Sequence, residues 1–104
     1  MSAEGIWDLS ISTPIGRIAA EVELHRTPGG LTGTATGAGE RVPLGAVVLD
    51  GDRLTWTQAV TKPMRLNLAF AVTVDGDVLT GTAKAGRLPA SRVTGTRRTA
   101  EHAR

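Results

Sequence analysis

The chain has 104 residues, 13 of them glycine and none cysteine, with a net charge of +2 and a pI near 9.9. That length is enough for one hydrophobic core and too short for two. Without cysteine, disulfide frameworks and thiolate chemistry are excluded, and only His25 and His102 offer imidazole, so no metal and no other cofactor is expected.

The start, Met1-Ser2-Ala3-Glu4, carries no basic segment followed by an apolar run. No stretch approaches the roughly 20 apolar residues that span a bilayer, so a cytoplasmic protein with no membrane partner is expected. The high pI reflects arginines that do not titrate rather than a large basic excess. Nucleic acid is not expected either. Single-strand binders stack bases on aromatic platforms, and the aromatics here, Trp7, Trp56 and Phe70, fall on apolar faces. Residues 1–98 read as a single β-barrel domain, and 99–104, following Arg97 and Arg98 and ending in Arg104, as a flexible basic C-terminal tail.

No window sustains a helical period over ten residues, whereas short alternating runs rich in Val, Ile, Leu and Thr recur between glycines and prolines. The first strand, near 5–12, aligns Trp7, Leu9 and Ile11. The second, 17–26, puts Ile18, Ala20, Val22 and Leu24 on one side and Glu21, Glu23 and His25 on the other. After Thr27-Pro28-Gly29-Gly30 the third, 31–37, presents Leu31, Gly33 and Ala35. The fourth, 41–49, presents Val42, Leu44, Ala46 and Val48. Beyond Asp50-Gly51-Asp52 the fifth, 53–61, carries Leu54, Trp56 and Gln58, and the sixth, 64–74, carries Leu66, Leu68, Phe70 and Val72. Beyond Asp75-Gly76-Asp77 the seventh, 78–84, aligns Leu79, Gly81 and Ala83, and the eighth, 88–97, aligns Ser91, Val93, Gly95 and Arg97. The glycine-bearing turns supply the positive φ of tight hairpins, so successive strands pair antiparallel.

Leu31-Thr32-Gly33-Thr34-Ala35 returns letter for letter 48 residues later as Leu79-Thr80-Gly81-Thr82-Ala83. The same displacement carries Ile18, Ala20, Val22 and Leu24 onto Leu66, Leu68, Phe70 and Val72. The expected fold is therefore all-β, an eight-stranded antiparallel up-and-down β-barrel built from two repeated four-strand halves and closed to avoid exposed edges.

Gly5-Ile6-Trp7 opens the first strand and Gly95-Thr96-Arg97 closes the last. This resembles the calycin superfamily of lipocalins, fatty-acid-binding proteins and avidins, whose barrels begin with Gly-x-Trp. The resemblance implies that a terminal arginine, Arg97 or Arg98, packs across Trp7 and closes one end of the barrel. Small bacterial barrel enzymes related to allene oxide cyclase are an alternative resemblance.

In such a barrel the termini and every second hairpin share one end, the base, which collects Trp7, Arg97, Asp50, Asp52, Asp75 and Asp77. The other end, the mouth, collects looser connections with Arg17, Arg41, Lys62, Arg65 and Arg87 against Glu40 alone. A basic rim over an apolar interior suits a hydrophobic or amphipathic anionic small molecule. The small inward residues Gly33, Ala35, Gly81 and Ala83 mark thin places in the lining. The expected ligand-binding residues are Ile11, Ile18, Ala35, Val42, Trp56, Gln58, Lys62, Arg65, Leu66, Ala83 and Ser91.

Whether the chain is an enzyme is left open by its residues. The alternative to simple binding is an enzyme of the cyclase, isomerase or lyase kind that preorganises a flexible substrate in the same lumen, with Gln58, Trp56 and Ser91 as its working groups. A second alternative is a structural or protein-interaction module with a filled barrel. The row Glu21, Glu23 and His25 reads as a solvated outer face, not an acid-base set. Gly37-Ala38-Gly39 does not lead from a strand into a helix, so it is a turn. Val47, Leu49, Ala59, Ala69 and Ala71 form an outer apolar strip that suggests a homodimer interface.

Overall fold

A computed structural model describes residues 3–13, 16–37, 39–60, 66–86 and 89–98. They form one antiparallel sheet of nine strands: β1 (Gly5–Thr13), β2 (Gly16–Thr27), β3 (Gly30–Gly37), β4 (Glu40–Pro43), β5 (Gly45–Asp50), β6 (Arg53–Val60), β7 (Leu66–Asp75), β8 (Val78–Ala85) and β9 (Ser91–Arg98). The sheet order is β4-β3-β2-β1-β9-β8-β7-β6-β5. Strands next to each other in sequence are thus next to each other in space, and β1 also pairs with β9, through Trp7↔Arg97 and Ile11↔Val93. The two end strands, β4 and β5, follow one another through Leu44, so the sheet curls into a nearly closed up-and-down barrel. Such closure leaves little backbone edge for another chain to pair with. Among the described residues no helix is long and apolar enough to cross a membrane.

The sheet has nine strands where alternation predicts eight, because the predicted fourth strand breaks in the middle. Its first part pairs only with β3, from Thr34↔Pro43 to Gly37↔Glu40, and its second part only with β6, through pairs such as Leu49↔Leu54. Pro43 has no N–H to extend the ladder. Leu44 is the pivot, with its side chain buried and its N–H donating to the Gly33 carbonyl at 2.9 Å. The register then shifts between Gly45 and Val48, and Ala46 takes a left-handed φ of 49°.

A bulge of this kind adds one residue and inverts the alternation beyond it. Val47 and Leu49 therefore pack against the core, while Ala46 faces out and Val48 is 54% exposed. Simple alternation puts these four residues on the opposite faces. Ala46-Val47-Val48-Leu49 is apolar in both phases, so alternation carries no signal there. The expected outer strip correspondingly loses Val47 and Leu49 and gains Val48 beside Thr55.

Elsewhere the pleat is as expected. Trp7, Val22, Leu54, Trp56, Val74, Leu79 and Val93 are the largest fully buried side chains, and each such burial contributes about 1.5–3 kcal/mol. Trp56 and Phe70, cross-strand partners, stack with ring centroids 4.7 Å apart and planes 8° from parallel. Gly33 and Gly81 are required by close approach: a Cβ on Gly33 would lie 2.0 Å from the Glu23 carbonyl oxygen, and one on Gly81 would lie 2.1 Å from that of Ala71. Their neighbouring strands occupy the space that the missing side chains leave. These two positions hold strands together and open no room in the lining.

Candidate functional site

At the base, the N-terminal segment, the last strand and a turn converge on Trp7. Its ring is fully buried, and Nε1–H donates to the Ala3 carbonyl at 3.0 Å. The Arg97 guanidinium lies over the indole, 4.5 Å from the ring centroid. Arg97 also donates through Nε to Asp77 Oδ1 at 2.8 Å, through Nη2 to the Gly76 carbonyl at 2.8 Å, and through Nη1 to the Glu4 carbonyl. The turn can offer that carbonyl because Gly76 adopts a φ of 64°. Arg98, the other arginine considered for this place, points outward instead. Hydrogen bonding to Asp8, at 2.5 Å, holds its guanidinium above the usual arginine value.

At the other end the inner wall changes character. Moving from base to mouth, Trp7 and Leu9 are buried and Ile11 only partly; Leu24 and Val22 are buried, Ala20 partly, and Ile18 is 47% exposed. The same gradient runs along β6 from Leu54 and Trp56 to half-buried Gln58, along β7 from Phe70 to Leu68, and along β9 from Val93 to Ser91. A solvent-accessible apolar face therefore exists inside the mouth, above a packed floor of Trp56 and Phe70.

The structure brings the expected site residues together in three groups. Ile11 pairs with Ile18. Trp56, Gln58, Ala83 and Ser91 are linked through Trp56↔Phe70, Phe70↔Ala83 and Ala83↔Ser91. Ala35 pairs with Val42. Ala35, Ala83 and Trp56 are buried in the core, while Val42 is half-buried near the rim. Leu66 lies at the start of β7, opposite Val60. Lys62, Arg65 and Arg87 lie outside the described residues, as does the segment 99–104. Of the expected basic rim, Arg17 and Arg41 are described and both are exposed.

Trp56 Nε1–H donates to Gln58 Oε1 at 3.0 Å. This bond occupies the amide oxygen and leaves the amide N–H₂ as a donor just above the aromatic floor. Ala20 and Leu68 complete the accessible wall. Alternation puts both inside, and the 48-residue displacement equates them, yet nothing local in either residue signals that it lies at the exposed end.

The outer wall holds shallow depressions. One of about 60 Å³ is bounded by Glu21, Glu23, Thr34, Thr36 and Arg41. Its carboxylates are matched by cations, Glu21 with Arg98 at 3.4 Å and Glu23 with Arg41 at 4.0 Å. His25 stands exposed on the same strand. A broader depression of about 240 Å³ crosses β6, β7 and β8 at Thr57, Ala69 and Lys84. The chain matches no protein-family model, no curated protein and no solved structure. The nearly closed antiparallel barrel is compatible with a calycin-like fold.

Proposed function

We propose that this is a cytoplasmic, calycin-like barrel that binds a hydrophobic or amphipathic anionic small molecule at its mouth. One observation carries the reading: Ile18, which faces inward, remains 47% exposed, while Val22 and Leu24, nearer the base on the same face of the same strand, are buried. Water against an isoleucine on a concave wall is displaced favourably by an apolar group, at about 25 cal/mol per Å² covered. Arg17 and Arg41 near the rim attract an anionic end, and the oriented Gln58 amide supplies a donor at the floor. The ligand occupies the upper part of the barrel, because Trp56 and Phe70 fill the lower part. The barrel also reads as two repeated halves. Glu23↔Thr34 and Leu24↔Gly33 in β2–β3 recur 48 residues on as Ala71↔Thr82 and Val72↔Gly81 in β7–β8.

The test is a titration with a medium-chain fatty acid and with an anionic apolar fluorophore. Saturable one-to-one binding is expected, lost in Ile18→Asp and kept in Val48→Asp, where an equally exposed valine sits on the outer wall. Absence of saturable binding, or equal loss in both variants, would sink the proposal.

A further inference from the structure

We infer a second site, on the outside of the barrel: Arg17, Ser12 and Arg92 form a receptor for a tetrahedral oxyanion, the phosphate or sulfate group of a small ligand. Ser12 on β1 pairs with Arg17 on β2 and with Arg92 on β9, so the three residues stand side by side across adjacent strands. Residues opposite one another share a face of the sheet, and neighbouring strands lie about 4.8 Å apart, which sets the two arginine Cα atoms about 10 Å from each other. Their neighbours Ile11, Ile18 and Val93 face the interior, so this row faces out, with both arginines exposed.

Charge sets the row apart: Arg53, the other described arginine without an ion pair, stands by itself across from Asp50. Arg26, Arg41, Arg97 and Arg98 each have a carboxylate partner, Glu4, Glu23, Asp77 and Asp8 respectively. Among the described residues neither Arg17 nor Arg92 forms an ion pair or a side-chain hydrogen bond. The surrounding outward positions are hydroxyls or small: Thr82 beside Arg92, with Ser10, Thr94 and Ala19 in the next row toward the base. Lys84, two residues along β8 from Thr82, adds a third cation. The first carboxylate reached on β1 is Asp8, two rows away and already held by Arg98.

Two guanidinium groups flanking a hydroxyl repel one another until an anion lies between them. Each offers a planar fork of donors, and Ser12 adds one more. A carboxylate has two oxygens and is satisfied by one fork. A phosphate or sulfate group has acceptors enough for both forks and the hydroxyl together. All three residues stand on paired strands, which fix the backbone positions from which their side chains reach the ligand.

This site lies across the barrel wall from Ile11 and Ile18; Arg17 also adds to the positive field at the rim, and Arg92, which has no part in the mouth reading, keeps the two sites separable. The test is an NMR titration of the intact protein with inorganic phosphate, inorganic sulfate and acetate at fixed ionic strength. Saturable shifts are expected at Ser12, Arg17 and Arg92 with phosphate and sulfate, with acetate at least about tenfold weaker. The arginines stay charged throughout, so phosphate affinity rises as its second proton leaves around neutral pH, whereas sulfate affinity stays flat. Arg17→Gln and Arg92→Gln should each weaken binding by about tenfold or more, from the loss of charge-assisted hydrogen bonds. Arg53→Gln, which removes an exposed arginine at the far end of β6, should leave it unchanged. Shifts that do not saturate, that spread over every exposed cation, that acetate reproduces equally, or that survive the Arg17 and Arg92 changes would overturn the assignment.

Discussion

Trp7 and Arg97 come from opposite ends of the chain and meet at 4.5 Å, so one contact joins the first strand, the last strand and the Asp75-Gly76-Asp77 turn. Arg97 is mostly covered, with 18% of its side chain exposed. Its interactions are correspondingly less screened than those of a surface pair. Arg97→Ala removes the cation over the indole and the donors to Asp77, Gly76 and Glu4, and should cost about 2–4 kcal/mol in urea denaturation. Arg97→Lys keeps the charge but not the fork and should fall between. The close-approach glycines give a matched pair of expectations: Gly33→Ala and Gly81→Ala each push a methyl onto a neighbouring carbonyl and should each cost about 1–3 kcal/mol. A small effect at one of them would show that its strand yields by sliding.

The strand break at Leu44 decides how the barrel closes. Before it the chain belongs to β3, and after it to β6. The bulge that follows exchanges the faces of four successive residues. Leu49→Ala should therefore cost about 2–4 kcal/mol, since Leu49 packs on the core opposite Leu54, while Val48→Ala should cost under about 0.5 kcal/mol. Comparable losses at both positions would contradict this exchange of faces. Ala46, the one non-glycine residue with positive φ among those described, gives a third expectation. Ala46→Gly relieves a conformation that disfavours Cβ and should raise stability by up to about 1 kcal/mol, visible as an increased Tm.

Over the whole molecule the two ends of the barrel differ in packing and in charge. The base is closed by Trp7 and filled by buried leucines and valines, and its hairpins carry Asp50, Asp52 and Asp75. The mouth leaves Ile18, Leu68 and Gln58 accessible, with Arg17 and Arg41 beside them. Stability and the proposed binding therefore reside in different halves. Ile18→Ala should alter stability little compared with Leu9→Ala or Val22→Ala, because half of Ile18 is already in water. Closure also pairs the first strand with the last, so its loop entropy must be met before those contacts form. Refolding is expected in milliseconds to seconds by stopped-flow fluorescence of the tryptophans.

The all-β class, the antiparallel order, nearly every strand and the inner face of all but one of them were legible in the residues alone. Alternation in a half-buried strand is a local record of which side meets water, and a glycine turn is a local record of chain reversal. The Gly5-Ile6-Trp7 and Gly95-Thr96-Arg97 segments pointed to the meeting of Trp7 with Arg97. The three-dimensional fold was needed wherever residues far apart in the chain must agree. The break at Leu44 arises because one strand serves two neighbours, and the apolar run Ala46 to Leu49 reads equally well in either phase. The depth of the accessible mouth depends on how two stacked rings, Trp56 and Phe70, fill the floor. The row of Arg17, Ser12 and Arg92 exists only through the register that brings β2, β1 and β9 side by side.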